Sequence, residues 1–227
     1  MSALRMSRHR APAPAAAPAA SALALITGVA AVLATFILGF IAKAGPVARL
    51  DLRVDEHIAA HDRVGVLTAL AKAVSTIATP EIFGPAAMIV VPLILLARRR
   101  KLAALMAFCT IGGALALAEV AKKLISEPRP PAALQAMAAD SGASYPSGHT
   151  TAAAVLAVAL VIAVTGAGWR FAALVAAGGF AVAVAASRVY LGDHYPLDVL
   201  GSMLCALAAG FVVAGLAALP AVRRRLH

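Results

Sequence analysis

Three short stretches combine side chains that can do chemistry together: "KKLISEPRP" at Lys122 to Pro130, "PSGH" at Pro146 to His149, and "SRVYLGDHYPLD" at Ser187 to Asp198. His194 lies four residues before Asp198, and Pro196 between them suits the first turn of a helix. One turn brings the carboxylate beside the imidazole, where it can hold one ring N–H and leave the other nitrogen as a nucleophile. His149 can protonate a departing alkoxide and then activate water. Lys122, Arg129 and Arg188 would repel one another unless a multiply charged anion sat between them. Two guanidinium forks and one ammonium point charge suit the tetrahedral dianion of a phosphate. The Ser147 hydroxyl, the bare backbone at Gly148 and the free N–H groups of a helix starting there add an uncharged clamp. Together these residues predict attack at phosphorus through a phosphohistidine. The cations and N–H groups offset the charge on the equatorial oxygens, so the chemistry requires no metal or other cofactor.

The elements that must position these residues are apolar. Of 227 residues, 62% are hydrophobic and 13% charged, and the mean hydropathy is +0.90, outside the soluble range. Stretches near the roughly 20 residues that cross a bilayer core recur along the chain. The expected fold is an all-α, polytopic membrane protein with six spans, at about 21–42, 80–97, 102–125, from "PSGH" to about 166, 171–191 and 196–219. Residues 1–20 read as a disordered, Arg- and Ala/Pro-rich cytoplasmic tail, and 220–227 as a basic cytoplasmic C-terminus. The first apolar segment exceeds a signal-peptide core and is expected to remain as a span. The charge-rich segment from Lys43 to Thr79 predicts a helix or helix pair lying at the interface. The membrane domain is thus 21–219, with its motif core at 122–198. With both termini cytoplasmic, the tail cations, Arg98 to Lys101, Arg170 and Arg223 to Arg225 share one side, and the three motif stretches face outward. Ionisable groups beside spans are expensive, so their convergence marks a functional site.

The net charge of +10 does not imply nucleic acid, because the cations form short clusters with few aromatics among them. Cys109 and Cys205 lie in apolar segments and read as small core residues. Glu119 and Lys123, four apart, suit a surface pair. Glu127 reads equally as an entrance residue or a solvated loop charge. His57 and His61 have a metal-ligand spacing but no third ligand, and an interfacial helix accommodates both. Asp193 suits the turn before the last span. Trp169, Tyr190 and Tyr195 read as interfacial aromatics.

In residue type, spacing and order, the three stretches resemble the signature motifs of the type 2 phosphatidic acid phosphatase (PAP2) superfamily. The resemblance covers about Asp51 to Leu219 and is most specific from Lys122 to Asp198. It implies a six-helix integral membrane phosphatase, with His194 as nucleophile, His149 as acid and metal-independent hydrolysis of lipid phosphates or diphosphates. The setting would be the outer leaflet of the cytoplasmic membrane, with undecaprenyl diphosphate, phosphatidic acid or phosphatidylglycerol phosphate as plausible substrates. The motif set is also similar to that of vanadium haloperoxidases, against which the multispan character argues. Phosphotransfer to an acceptor other than water would use the same intermediate. A non-enzymatic lipid binder or transporter needs no His-Asp pair, and no interrupted helices stand in matching halves.

Overall fold

The computed structural model describes residues 16–137, 142–164, 166–219 and 222. Their regular structure is helical: α1 (Ala16–Ala42), α2 (Gly45–His57), one π-helical turn (Ile58–Asp62), α3 (Gly65–Ile77), α4 (Pro80–Ala97), α5 (Lys101–Ile125), a short 3-10 turn (Ala132–Leu134), α6 (Gly148–Ala163), α7 (Ala167–Tyr190) and α8 (Pro196–Ala218).

Five of these helices are long and apolar enough to cross a membrane: α1 from Ala19, α4, α5, α7 and α8. The segment expected as the fourth span differs. Its helix, α6, is only 16 residues long, because Val164 leaves the helical region at ψ 136°. It is enclosed by α4, α5, α7 and α8 and is Ala-rich where it is buried, so protein rather than solvent surrounds most of it. The expected disordered tail also needs correcting. Ala16 to Ala20 already belong to α1, since Ala is the strongest helix former and Pro18 falls in the first turn, where its missing N–H breaks no bond. The rest of that tail, and the cluster Arg223 to Arg225, lie outside the described residues.

The helix ends follow from local chemistry. Ser126 closes α5 in the left-handed region at φ 50°. Ser147 caps α6 by accepting the Thr150 N–H, and Pro196 opens α8. Small residues let the long helices approach closely. A Cβ at Gly28 of α1 would lie 2.6 Å from Val212, and one at Gly215 of α8 would lie 2.7 Å from Leu25. The Tyr145 ring fills a slot between Gly39 and Gly201, and its hydroxyl donates to the Thr35 carbonyl at 2.6 Å. This fixes the loop before α6 to both α1 and α8.

The expected helix pair is present as α2 and α3, but it does more than cover a surface. Asp51, Asp55 and Ser75 point inward and are buried. The Tyr190 hydroxyl of α7 receives the Val64 N–H at 3.0 Å and lies 3.1 Å from Thr68 Oγ1, tying α3 to the bundle. The His57 and His61 rings stack with centroids 4.7 Å apart, and His61 Nδ1 is 3.1 Å from the His57 carbonyl. Cys205 is a core residue as expected, whereas Cys109 is exposed on the outer face of α5.

Candidate active site

The third motif builds the most tightly held part of the site. Asp198 stands at the third position of α8, where its Oδ2 accepts the Tyr195 N–H at 3.0 Å and so caps the helix. The same oxygen is 3.1 Å from His194 Nδ1 and accepts the Ser144 hydroxyl. Both side chains are buried, His194 with 1% and Asp198 with 0% of its surface exposed. The pair therefore selects the tautomer with hydrogen on Nδ1 and a lone pair on Nε2. Burial pushes the His194 imidazole down to about 4, the Asp198 bond partly opposing it and Arg129 and Arg188 adding to it. The ring is therefore neutral at neutral pH.

The first motif meets it directly. Arg129 Nη1 lies 3.3 Å from His194 Nε2 and donates to the Asp193 carbonyl at 3.1 Å, while Nε donates to the Gly142 carbonyl at 3.1 Å. Lys122, in the last turn of α5, donates to the carbonyls of Ala143 and Pro146 at 3.0 and 3.1 Å. Lys122 and Arg129 line a cavity of about 370 Å³ together with Gly148 and His149, bounded by Pro80, Pro85 and the carboxylates Glu81 and Glu119. Arg129 thus links the two histidines, touching one and sharing a cavity with the other.

Arg188 and Ser147 stand further back. Arg188 is 2% exposed, donates to Ser75 Oγ at 2.6 Å and pairs with Asp193 Oδ2 at 3.3 Å. Asp193 does belong to the turn, but its buried carboxylate also holds this guanidinium in place. Ser147 is fully buried, and its Oγ accepts from Thr150 while its carbonyl receives the hydroxyls of Thr151 and Ser202 at 2.8 Å. Gly148 lies against Pro80, where a Cβ would sit 3.4 Å from that ring.

Three contributors escaped the sequence reading. Ser144 donates to Asp198, Ser75 accepts from Arg188, and Glu127, which in sequence reads equally as an entrance residue or a solvated charge, is buried with 2% of its surface exposed. Ser144 was detectable in principle, as a hydroxyl two residues before Pro146. Ser75 lies 113 residues from its partner, and nothing local signals the contact. A larger hollow of about 750 Å³ runs along α3, α7 and α8 past Tyr190 and Pro196. Its lining is almost wholly apolar, so it offers no grip on a phosphate.

Comparison with known proteins follows the same residues. A family model described as the PAP2 superfamily matches residues 101–218. Undecaprenyl-diphosphatase BcrC of Bacillus subtilis is 39% identical over 70 residues, 31% of this chain, and the match spans only 33% of that relative's length. Among solved structures, a transmembrane PAP2-type phosphatidylglycerolphosphate phosphatase from Bacillus subtilis superposes with a TM-score of 0.72 at 25% identity, covering 84% of this chain and 95% of that one. LpxE of Aquifex aeolicus shares the fold, with a TM-score of 0.58 at 20% identity over 73% of this chain and 94% of its own.

Proposed function

Because the chain belongs to the PAP2 superfamily, we propose that it hydrolyses a lipid phosphate or diphosphate through a phosphohistidine on His194. The observation that carries this reading is the buried His194–Asp198 pair, which presents Nε2 to Arg129 beside the cavity holding His149 and Lys122. The neutral Nε2 attacks phosphorus, a P–N bond forms, and the bond to the leaving oxygen breaks as His149 supplies a proton. A water that gives its proton back to His149 then cleaves the P–N bond, releasing phosphate. Arg129 and Lys122 grip the equatorial oxygens from the cavity, with Arg188 and the N-terminus of α6, including Ser147 and Gly148, reinforcing the positive field behind them.

In this reading α1, α4, α5, α6, α7 and α8 are six spans. Residues 1–15 and 220–227 are cytoplasmic, and the site opens to the outer face of the cytoplasmic membrane. The short α6 suits this arrangement because protein, not lipid, surrounds it. The apolar hollow along α3, α7 and α8 reaches Pro196, two residues from His194, and suits an isoprenyl or acyl tail.

The test is phosphate release by purified protein in detergent, with undecaprenyl diphosphate, phosphatidic acid and phosphatidylglycerol phosphate as a panel, with and without chelator. His194→Ala should lose activity by about 10⁴-fold or more. Release at the wild-type rate by that variant would sink the covalent mechanism.

A further inference from the structure

Four carboxyl groups crowd the start of α8. Asp51 and Asp55 come from α2, Glu127 from the loop after α5, and Asp198 from α8 itself. All are buried, with Asp55 and Asp198 fully so. They are not equivalent. Asp198 Oδ2 collects the His194, Ser144 and Tyr195 donors, whereas Asp198 Oδ1 receives no N–H or hydroxyl from the described residues. Among the described residues Glu127 Oε2 is equally without such a partner, and the buried Glu127 carboxyl interacts with Asp198. Ser144 holds the two in register, its N–H donating to the Glu127 carbonyl at 2.8 Å while its hydroxyl donates to Asp198.

Two carboxylates cannot share a buried hydrogen bond unless one carries a proton. We infer that Glu127 is a positioning residue for the reaction: its protonated carboxyl donates a hydrogen bond to Asp198, fixing the carboxylate that orients His194. The inference rests on the phosphohistidine reading for its catalytic consequence, but not for the protonation itself.

The surroundings favour a proton on Glu127. Burial pushes its carboxyl up to about 9, helped by the charge of Asp198, its bond to Asp198 and the charge of Asp51, with only Lys43 opposing. The α2 acids are held up too, Asp51, which acts on Glu127, to about 6 and its neighbour Asp55 to about 8, chiefly by burial. Tyr145 and Tyr195 also lie within reach of its charge, and burial raises both. Asp198, with three donors on one oxygen, is the member best able to keep its charge.

The experiment compares Glu127→Gln, which keeps a neutral donor, with Glu127→Ala, which removes it. Glu127→Ala should lower kcat by about tenfold to a hundredfold with KM within about twofold, whereas Glu127→Gln should stay within about threefold of wild type. Wild-type kcat should fall as pH rises through about 9, where Glu127 ionises, and Glu127→Gln should lack that limb. Two further measurements need no turnover. Protonated-carboxyl infrared absorption should be present at neutral pH, and Glu127→Gln should remove one component of it while leaving that of Asp55. A carboxyl whose folded pKa is raised loses stability as pH climbs from its unfolded value toward about 9, so Glu127→Gln should melt above wild type at pH 8 and lose that advantage in acid. Glu127→Gln as impaired as Glu127→Ala, wild-type kcat in Glu127→Ala, or an infrared stretch unchanged in Glu127→Gln would each overturn the inference. The infrared and melting results stand even if His194→Ala shows the covalent reading to be wrong.

Discussion

Lys101 opens α5 and Lys122 closes it, and the two ends of that one helix use cations in opposite ways. At the Lys101 end, Arg98, Arg99, Lys101 and Arg170 are exposed. Arg100 donates to the Ala163 carbonyl and Arg170 to the Val164 carbonyl at 2.9 Å, satisfying the last turn of α6, and no carboxylate lines either hollow there. At the Lys122 end, Arg188 is buried against Asp193, and Arg129 is shared between His194 and backbone carbonyls. Exposed cations stay hydrated and need no fixed partner, whereas a buried one requires a counter-charge and saturated donors. Charge alone therefore marks neither end as a site. Convergence of partners from α3, α5, α7, α8 and the loop before α6 marks one.

The sharpest way to break the contrast is at Asp198. Asp198→Asn keeps the shape but removes the carboxylate that holds Nδ1–H, and kcat should fall by roughly 10² to 10⁴-fold with the phosphate grip intact. The pH profile of kcat/KM adds a sign. In the proposed mechanism only the neutral imidazole attacks, and burial holds His194 near 4, so wild-type activity should persist well below the ordinary imidazole range and fall as pH drops through about 4. Asp198 raises the His194 pKa, so its replacement should move that limb to lower pH. A limb that moves upward would mean that Asp198 does not stabilise the protonated ring.

Ser144 tests a smaller part of the same network. Ser144→Ala removes one of three donors on Asp198 Oδ2 and leaves the other two. A hydrogen bond to a charged group contributes about 1.5–3 kcal/mol, so kcat should fall by about tenfold to a hundredfold while KM stays near wild type. Unchanged kcat in a folded Ser144→Ala protein would show that Tyr195 N–H and His194 suffice to hold the carboxylate.

How far the sequence could carry this depends on the range of each contact. His194 and Asp198 share one helical turn, so their pairing follows from spacing. Lys122, Arg129, Gly148 and His149 meet in one cavity because α5 and α6 are neighbours, an outcome that residue type and the side of the membrane predicted. The contacts of Ser75 with Arg188 and of Glu127 with Asp198 were illegible. They depend on how α3 and the loop after α5 pack, and a serine in an amphipathic helix or a glutamate before a proline has a solvated reading that is locally just as good. The length of α6 escaped for a related reason. Hydropathy reports how apolar a segment is, not whether lipid or protein covers it, and an Ala-rich helix wrapped by four others needs less apolar length than a lipid-facing one.

The far end of the bundle supplies the control with the smallest expected effect. Arg170→Gln removes a full positive charge, as would the same change at Arg188, but from an exposed side chain that, among the described residues, donates to the Val164 carbonyl. Exposed interactions of this kind contribute about 0–1 kcal/mol, so the melting temperature should shift by no more than about 2–4 °C. Neither kcat nor KM should change, because the charge sits at the opposite end of α6 from His149, where it donates to the Val164 carbonyl. A marked loss of kcat in Arg170→Gln would mean that the two ends communicate through α6, and that the division between cations that cap a helix and cations that serve the site is drawn in the wrong place.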